Sequence, residues 1–213
     1  MKSWSVFFVF FLSGAVFGQQ NVCGWYGTLS ADKRRAMPPF ASAEKVVFIS
    51  FFTTASYSEQ IVNEKGETVV AEDSSAIAQQ LNMKVVREFA LPVTASSGKQ
   101  KKYAAIEMAE LNAIEKDSLS RWFFNYRTNG GAKEMTMKTV KSYTPSNAVL
   151  FLDSSDKVVA YIEVCFECSR YVIKPDVAWF SQMGLLEGCN GKFDILRKMF
   201  RKKGIGYGVD VVK

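Results

Sequence analysis

Val46-Val47-Phe48-Ile49-Ser50-Phe51-Phe52 is almost unbroken in apolarity and rich in β-branched and aromatic residues, which predicts a strand covered on both faces. Ala148-Val149-Leu150-Phe151-Leu152-Asp153, the polar turn at 154–157 and the run 158–164 predict a hairpin. Arg170-Tyr171-Val172-Ile173 continues it as a third strand before Pro175. Residues 84–91 alternate as a strand, and 103–111 form another with Ala104, Ile106 and Met108 on one side. Residues 60–62 and 67–70 flank the turn 63–66 in a smaller hairpin, and 209–212 suit an edge strand.

Two segments switch to helical spacing. Asn112 can accept from a free backbone N–H and Glu115 follows three residues later, so a helix starts there. Ile114, Leu119, Trp122, Phe123 and Tyr126 then fall on a core-facing stripe, with Lys116, Asp117, Ser120 and Arg121 outward. Asn129-Gly130-Gly131 is the expected stop. From 193 to 203, Ile195, Leu196, Met199 and Phe200 turn inward while Arg197, Lys198, Arg201, Lys202 and Lys203 face water, and Gly204 caps the helix. A short helix capped by Asp73 or Ser74 is expected up to Leu81. Residues 19–44 read as an irregular lead-in, with Lys33-Arg34-Arg35 as a solvated turn and Pro38-Pro39 blocking regular structure. Strands in runs with helices between them give an α+β fold: a single domain over 19–213, a largely antiparallel sheet and two or three packed helices.

The N-terminus changes the setting. Lys2 precedes the apolar run Val6 to Leu12, then Ser13, Gly14 and Ala15, then Val16-Phe17-Gly18 before Gln19-Gln20. That order reads as a signal peptide over 1–18, cut after Gly18, and its apolar core is shorter than the roughly 20 residues a bilayer requires. Val22 argues against a lipid anchor on Cys23, since the position before a lipidated cysteine is small. No other stretch is long and apolar enough to form a transmembrane segment. The expected location is therefore the periplasm or the exterior. A formal charge of +6 is mildly basic. Nucleic acid is not an expected partner of an exported chain, and the basic C-terminal helix suggests at most a weak contact with an anionic envelope surface.

The chain has no histidine, which excludes a Ser-His-Asp triad, a Cys-His dyad and histidine-bearing zinc sites. Four cysteines remain: Cys23, Cys165, Cys168 and Cys189. An even count in an exported chain points to disulfides, with three connectivities open. The favoured one joins Cys165 to Cys168 and Cys23 to Cys189. The long bridge would close a loop of about 167 residues, worth about 5 kcal/mol in a chain-entropy treatment, against about 2 for the short one.

The alternative is chemistry at Cys165-Phe166-Glu167-Cys168, with Cys165 an activated thiol and Cys168 resolving it, or all four thiolates around zinc. Against redox work, the motif follows a strand, lacks a Gly-Pro between the thiols and carries Glu167, which would raise a neighbouring thiol pKa. Against zinc, only one knuckle is present. Glu163 and Glu167 share the strand face of Cys165 if the alternation continues, a spacing that glycoside hydrolysis can use, although a solvated strand face explains both. Gly204, Gly206 and Gly208 follow a helix and precede a strand, the reverse of a phosphate loop. No cofactor is implied.

Asn147 to Phe151, Asp153 and the stretch from Val159 through Tyr161-Ile162-Glu163-Val164-Cys165-Phe166-Glu167-Cys168 resemble a family of uncharacterised exported proteins of Gram-negative bacteria. In that family a hairpin with a YIEVCFEC-like strand precedes a C-terminal helix and an ending similar to Gly204-Ile205-Gly206-Tyr207-Gly208. Phe123-Phe124-Asn125-Tyr126 is similar as well. The resemblance covers mainly the C-terminal third and implies export, with no mechanism. Ser169-Arg170 departs from the glycine that often follows the second cysteine. Taken together, the residues point to an exported binding or structural protein stabilised by disulfides and without a catalytic set.

Overall fold

Lys45–Phe51 (β2) lies in the middle of a six-stranded antiparallel sheet, which is why its residues are apolar in both directions. The computed structural model describes residues 23–52, 60–62, 68–70, 78–79, 82–92, 102–129, 143–175 and 190–210. Asn147–Leu152 (β8) flanks β2 on one side and Lys102–Glu110 (β6) on the other. Val158–Cys165 (β9) and Arg170–Lys174 (β10) extend the sheet beyond β8, and Arg87–Ala90 (β5) extends it beyond β6. The architecture is α+β.

The β8–β9 hairpin turns where the sequence places it. Asp153 Oδ1 accepts from the N–H groups of Ser155 and Lys157 at 2.9 and 3.0 Å, an Asx-type local closure. Gln60–Val62 (β3) and Thr68–Val70 (β4) pair antiparallel as a separate ribbon. Cys23–Gly24 (β1) pairs with Arg127–Thr128 (β7).

Three helices stand among the described residues. Ala31–Arg35 (α1) is capped by the Ser30 hydroxyl. Ala113–Asn125 (α2) starts with a complete capping box, Asn112 Oδ1 accepting from Glu115 N–H and Glu115 Oε2 from Asn112 N–H. Asn190–Lys202 (α3) ends in a Schellman motif: Ile205 N–H donates to Phe200 C=O at 3.1 Å, Gly204 N–H donates to Arg201 C=O at 2.9 Å, and Gly204 takes φ 78°.

The two long helices cover one face of the sheet. Leu119, Trp122 and Phe123 of α2 and Leu196 and Phe200 of α3 meet Phe48, Val149, Phe151, Ile162 and Val164. Phe48 and Phe200 stack with centroids 4.1 Å apart. The opposite face carries its own buried apolar set, including Ile49, Phe51, Phe89, Tyr103, Leu150 and Tyr161.

Several expectations are corrected. The stretch read as an irregular lead-in holds α1 and a 3₁₀ turn at Phe40–Ser42. Its basic cluster is not simply solvated. Arg34 is buried, donating to Ser120 Oγ at 3.0 Å, Leu29 C=O at 2.7 Å and Asp117 Oδ1 at 2.6 Å. Those contacts turn Ser120 inward, while Ile114 is 78% exposed. Helix α2 ends at Asn125, before the glycines, because the next residues pair with β1.

The expected strand at 84–91 is regular only over β5. In β6 a register shift opposite Ser50 and Phe51 breaks the alternation, so Tyr103 and Ala105 face away from the helices while Ala109 packs toward them. Val209 and Asp210 lie in a turn after α3 rather than in an edge strand, Asp210 being ion-paired to Arg201 at 2.5 Å. The expected signal peptide over 1–18, the expected Gly130-Gly131 stop, Cys189 and residues 211–213 lie outside the described residues, as does most of the helix expected up to Leu81.

Candidate functional site

Period-two alternation along β9 sends Ala160, Ile162 and Val164 toward the helices and Tyr161, Glu163 and Cys165 to the other face. The strand ends at Cys165. Residues 166–169 form a turn, and pairing resumes with Arg170 opposite Cys165. Cys165 and Cys168 are joined by a disulfide with Cα atoms 5.4 Å apart, so the bridge sits inside a hairpin connection. Ser169 takes φ 50° there, the left-handed region in which glycine is favoured.

Helix α3 holds this turn. Arg197 Nη2 donates to Phe166 C=O at 3.1 Å, and the guanidinium lies over the Phe166 ring at 5.3 Å. Arg197 Nε reaches Val209 C=O at 3.2 Å, so one side chain ties the cysteine turn to the C-terminal loop. Phe166 is buried edge-on to Phe200. Cys165 is 2% exposed and Cys168 is half-buried.

A thiol is activated by a helix N-terminus or a nearby cation that stabilises its thiolate. Cys165 stands at a strand end instead. In this form both sulfurs are committed to each other, and a thiolate site at this knuckle requires reduction first. Cys23 is also disulfide-bonded. Among the described residues no group of three or more cysteines and carboxylates is placed to hold a metal ion.

The two carboxylates of the motif are separated by the end of the strand. Glu167 is exposed in the turn, so it does not continue the face of Glu163. Glu163 is itself buried, which corrects both the paired-acid reading and the solvated-face reading. Tyr103 Oη donates to Glu163 Oε1. Tyr103 is on β6 and Glu163 on β9, with β2 and β8 between them. Three strand spacings span about 14 Å in a flat sheet, so this contact requires the sheet to curl toward the face away from the helices.

Tyr161 meets Tyr103 edge to face at 6.1 Å, and the Arg170 guanidinium lies over the Tyr143 ring at 5.5 Å. Burial, then the Glu163 charge, holds the Tyr103 phenol well above its ordinary value. The same two causes push Tyr161 up to about 12 and raise Tyr143 further. These phenols are therefore protonated at neutral pH, not bases or nucleophiles, and Tyr103 among them donates to Glu163. Sequence reasoning placed Glu163 correctly on its strand and missed its partners. The available signal was local: Tyr161 and Cys165, both suited to burial, flank it on the same face.

The basic helix is largely engaged within the molecule. Arg197 pairs with Asp194, Arg201 with Asp210 and Lys203 with Glu115; Lys198, Arg201 and Lys202 are its exposed cations. Among the described residues no helix is long and apolar enough to cross a membrane. No family model matches the chain, and no curated protein or solved structure matches it either.

Proposed function

We propose that this chain is an exported protein that works by binding or as structure, on a scaffold braced by disulfides, without catalysis. The observation that supports this most is the seat of the Cys165–Cys168 bridge: a hairpin turn, packed through Phe166 and hydrogen-bonded by Arg197. A redox disulfide works by opening and re-forming against a partner's sulfur, which needs an accessible attacking position. Here the first sulfur belongs to a residue only 2% exposed. The resemblance to exported Gram-negative proteins and the leader over 1–18 support an oxidising location, where such bridges persist. Cys23 then pairs with Cys189, tying the N-terminal ribbon to the approach of α3.

Thiol counting on the native mature protein tests this. Without reductant, no cysteine is expected to react in buffer or in denaturant, and peptide mapping returns Cys165–Cys168 and Cys23–Cys189. Recovery of bound zinc with four titratable thiols, or a product retaining residues 1–18 in the cytosol, contradicts it.

A further inference from the structure

Strand β5 ends the six-stranded sheet, and among the described residues no strand lies beyond it. An open edge offers backbone donors and acceptors to any strand that can reach them, and proteins usually blunt it. The other edge is blunted: β10 carries Arg170 and Lys174 at its ends, with Pro175 following. Strand β5 has no such block, since its one cation, Arg87, is drawn to Asp156 at 3.4 Å and lies over the Phe89 ring at 4.9 Å. The ladder decides which groups face outward. Phe51 N–H donates to Ser146 C=O at 2.9 Å, on the β8 side, so Ala105 opposite it turns its backbone toward β5. Val86 N–H reaches Ala105 C=O at 2.7 Å, and Arg87 and Phe89 pair with Ala105 and Tyr103. The N–H and C=O groups of Glu88 and Ala90 therefore point outward.

On one face of β5, Phe89 packs with Tyr103 and Ala105. On the other, Glu88 lies beside Ala104 and Ala90 beside Lys102. Glu88, Ala90 and Lys102 are exposed, and among the described residues neither Glu88 nor Lys102 is ion-paired. The sequence selects one two-fold register for two copies meeting at this edge. An axis at Glu88 sets two carboxylates opposite each other, and an axis at Ala90 asks for an N–H from Pro92, which has none. An axis at Phe89 avoids both. It places Glu88 opposite Ala90 of the second copy, each such pair exchanging both backbone hydrogen bonds. Lys102 follows that Ala90 on the same face, so Glu88 stands about 10 Å, Cα to Cα, from Lys102 of the second copy with only a methyl group between them. Two long side chains span that distance. Val86, 50% exposed just before β5, falls opposite Pro92 of the second copy.

We infer that β5 is the interface of a two-fold homodimer in which two of these sheets join edge to edge, held by backbone pairing at Glu88 and Ala90 and by Glu88–Lys102 ion pairs across Ala90. The inference goes beyond the reading proposed above. It rests neither on export nor on the cysteine bridge, so its failure and theirs are separable.

The test is sedimentation equilibrium of the mature protein over a range of concentrations, with amide hydrogen exchange read at each. The wild type is expected to be mainly dimeric at about 100 μM, and exchange at Glu88 and Ala90 to slow as the concentration rises. E88K and K102E are each expected to weaken the dimer at least about tenfold, and E88K/K102E to return to within about threefold of wild type, because it restores opposite charges. A90P removes an outward N–H and no inward one, and is expected to leave monomer. K174E on β10 should change the association by less than about twofold. Thermal melting checks that each variant is folded; if A90P is not, the charge exchange and the exchange rates decide. A wild type that stays monomeric at about 100 μM overturns the proposal, whether the edge is bare or filled by another protein's strand. So does a dimer that survives folded A90P, a charge exchange that restores nothing, or exchange at Glu88 and Ala90 that ignores concentration.

Discussion

Glu163 is the residue whose setting departs furthest from what its neighbours along the chain suggest. It is 6% exposed and accepts from the Tyr103 hydroxyl. Truncating that donor leaves a buried carboxylate short of a hydrogen bond, so Tyr103→Phe is expected to cost about 1–3 kcal/mol in denaturant unfolding. The surrounding phenols give a pH dependence of defined sign. Their folded pKa values lie above the ordinary 10.0, so the folded state holds these protons more tightly. That stabilisation is complete below the ordinary phenol value and is lost as pH climbs through the raised ones, about 12 for Tyr161. The melting temperature is therefore expected to fall above pH 10.0, with tyrosinate absorbance appearing alongside unfolding. Absorbance that titrates fully at the ordinary value in folded protein would contradict the cluster. The sequence could not reveal this network, because Tyr103 and Glu163 are distant along the chain and meet only once the sheet has curled.

At the scale of elements, local chemistry was legible where it is local. The Asn112–Glu115 box, the Gly204 cap and the β8–β9 turn are each written within a few residues and form as read. The Schellman cap gives a direct check. Gly204 holds φ 78° with nothing within 4 Å of an added Cβ, so Gly204→Ala meets no clash and tests conformation alone. A loss of about 1 kcal/mol is expected from the melting curve. Partnerships between elements were not legible. Arg34 sits in a run of three basic residues, yet its guanidinium is drawn inward by Asp117 and Ser120 of α2. The end of α2 was displaced because β7 found a partner a hundred residues away in sequence, and the alternation of β6 failed at a register shift. Arg197 is the corresponding link from α3, serving both Phe166 and Val209. Arg197→Gln is expected to destabilise by about 1–3 kcal/mol and to speed reduction of the neighbouring disulfide. An unchanged reduction rate with intact stability would remove α3 from the account of the turn.

For the molecule as a whole, the curled sheet has one face closed by α2 and α3 and the other drawn together around Glu163, and the cysteine turn joins its outer hairpin to the C-terminal helix. The α+β class followed from the order of strand and helix patterns, since each pattern is set by side-chain period alone. The site reading was legible only as far as the bridge between Cys165 and Cys168. The packing around it comes from Phe166, Phe200 and Arg197, whose contacts are tertiary. The central claim is that this bridge is structural. Its reduction potential, measured by equilibrating the native mature protein with glutathione and dithiothreitol buffers, tests that claim most directly. The account predicts a value below about −300 mV, with reduction only alongside unfolding. A pair that opens selectively near about −200 mV in folded protein would contradict it and return these sulfurs to exchange chemistry.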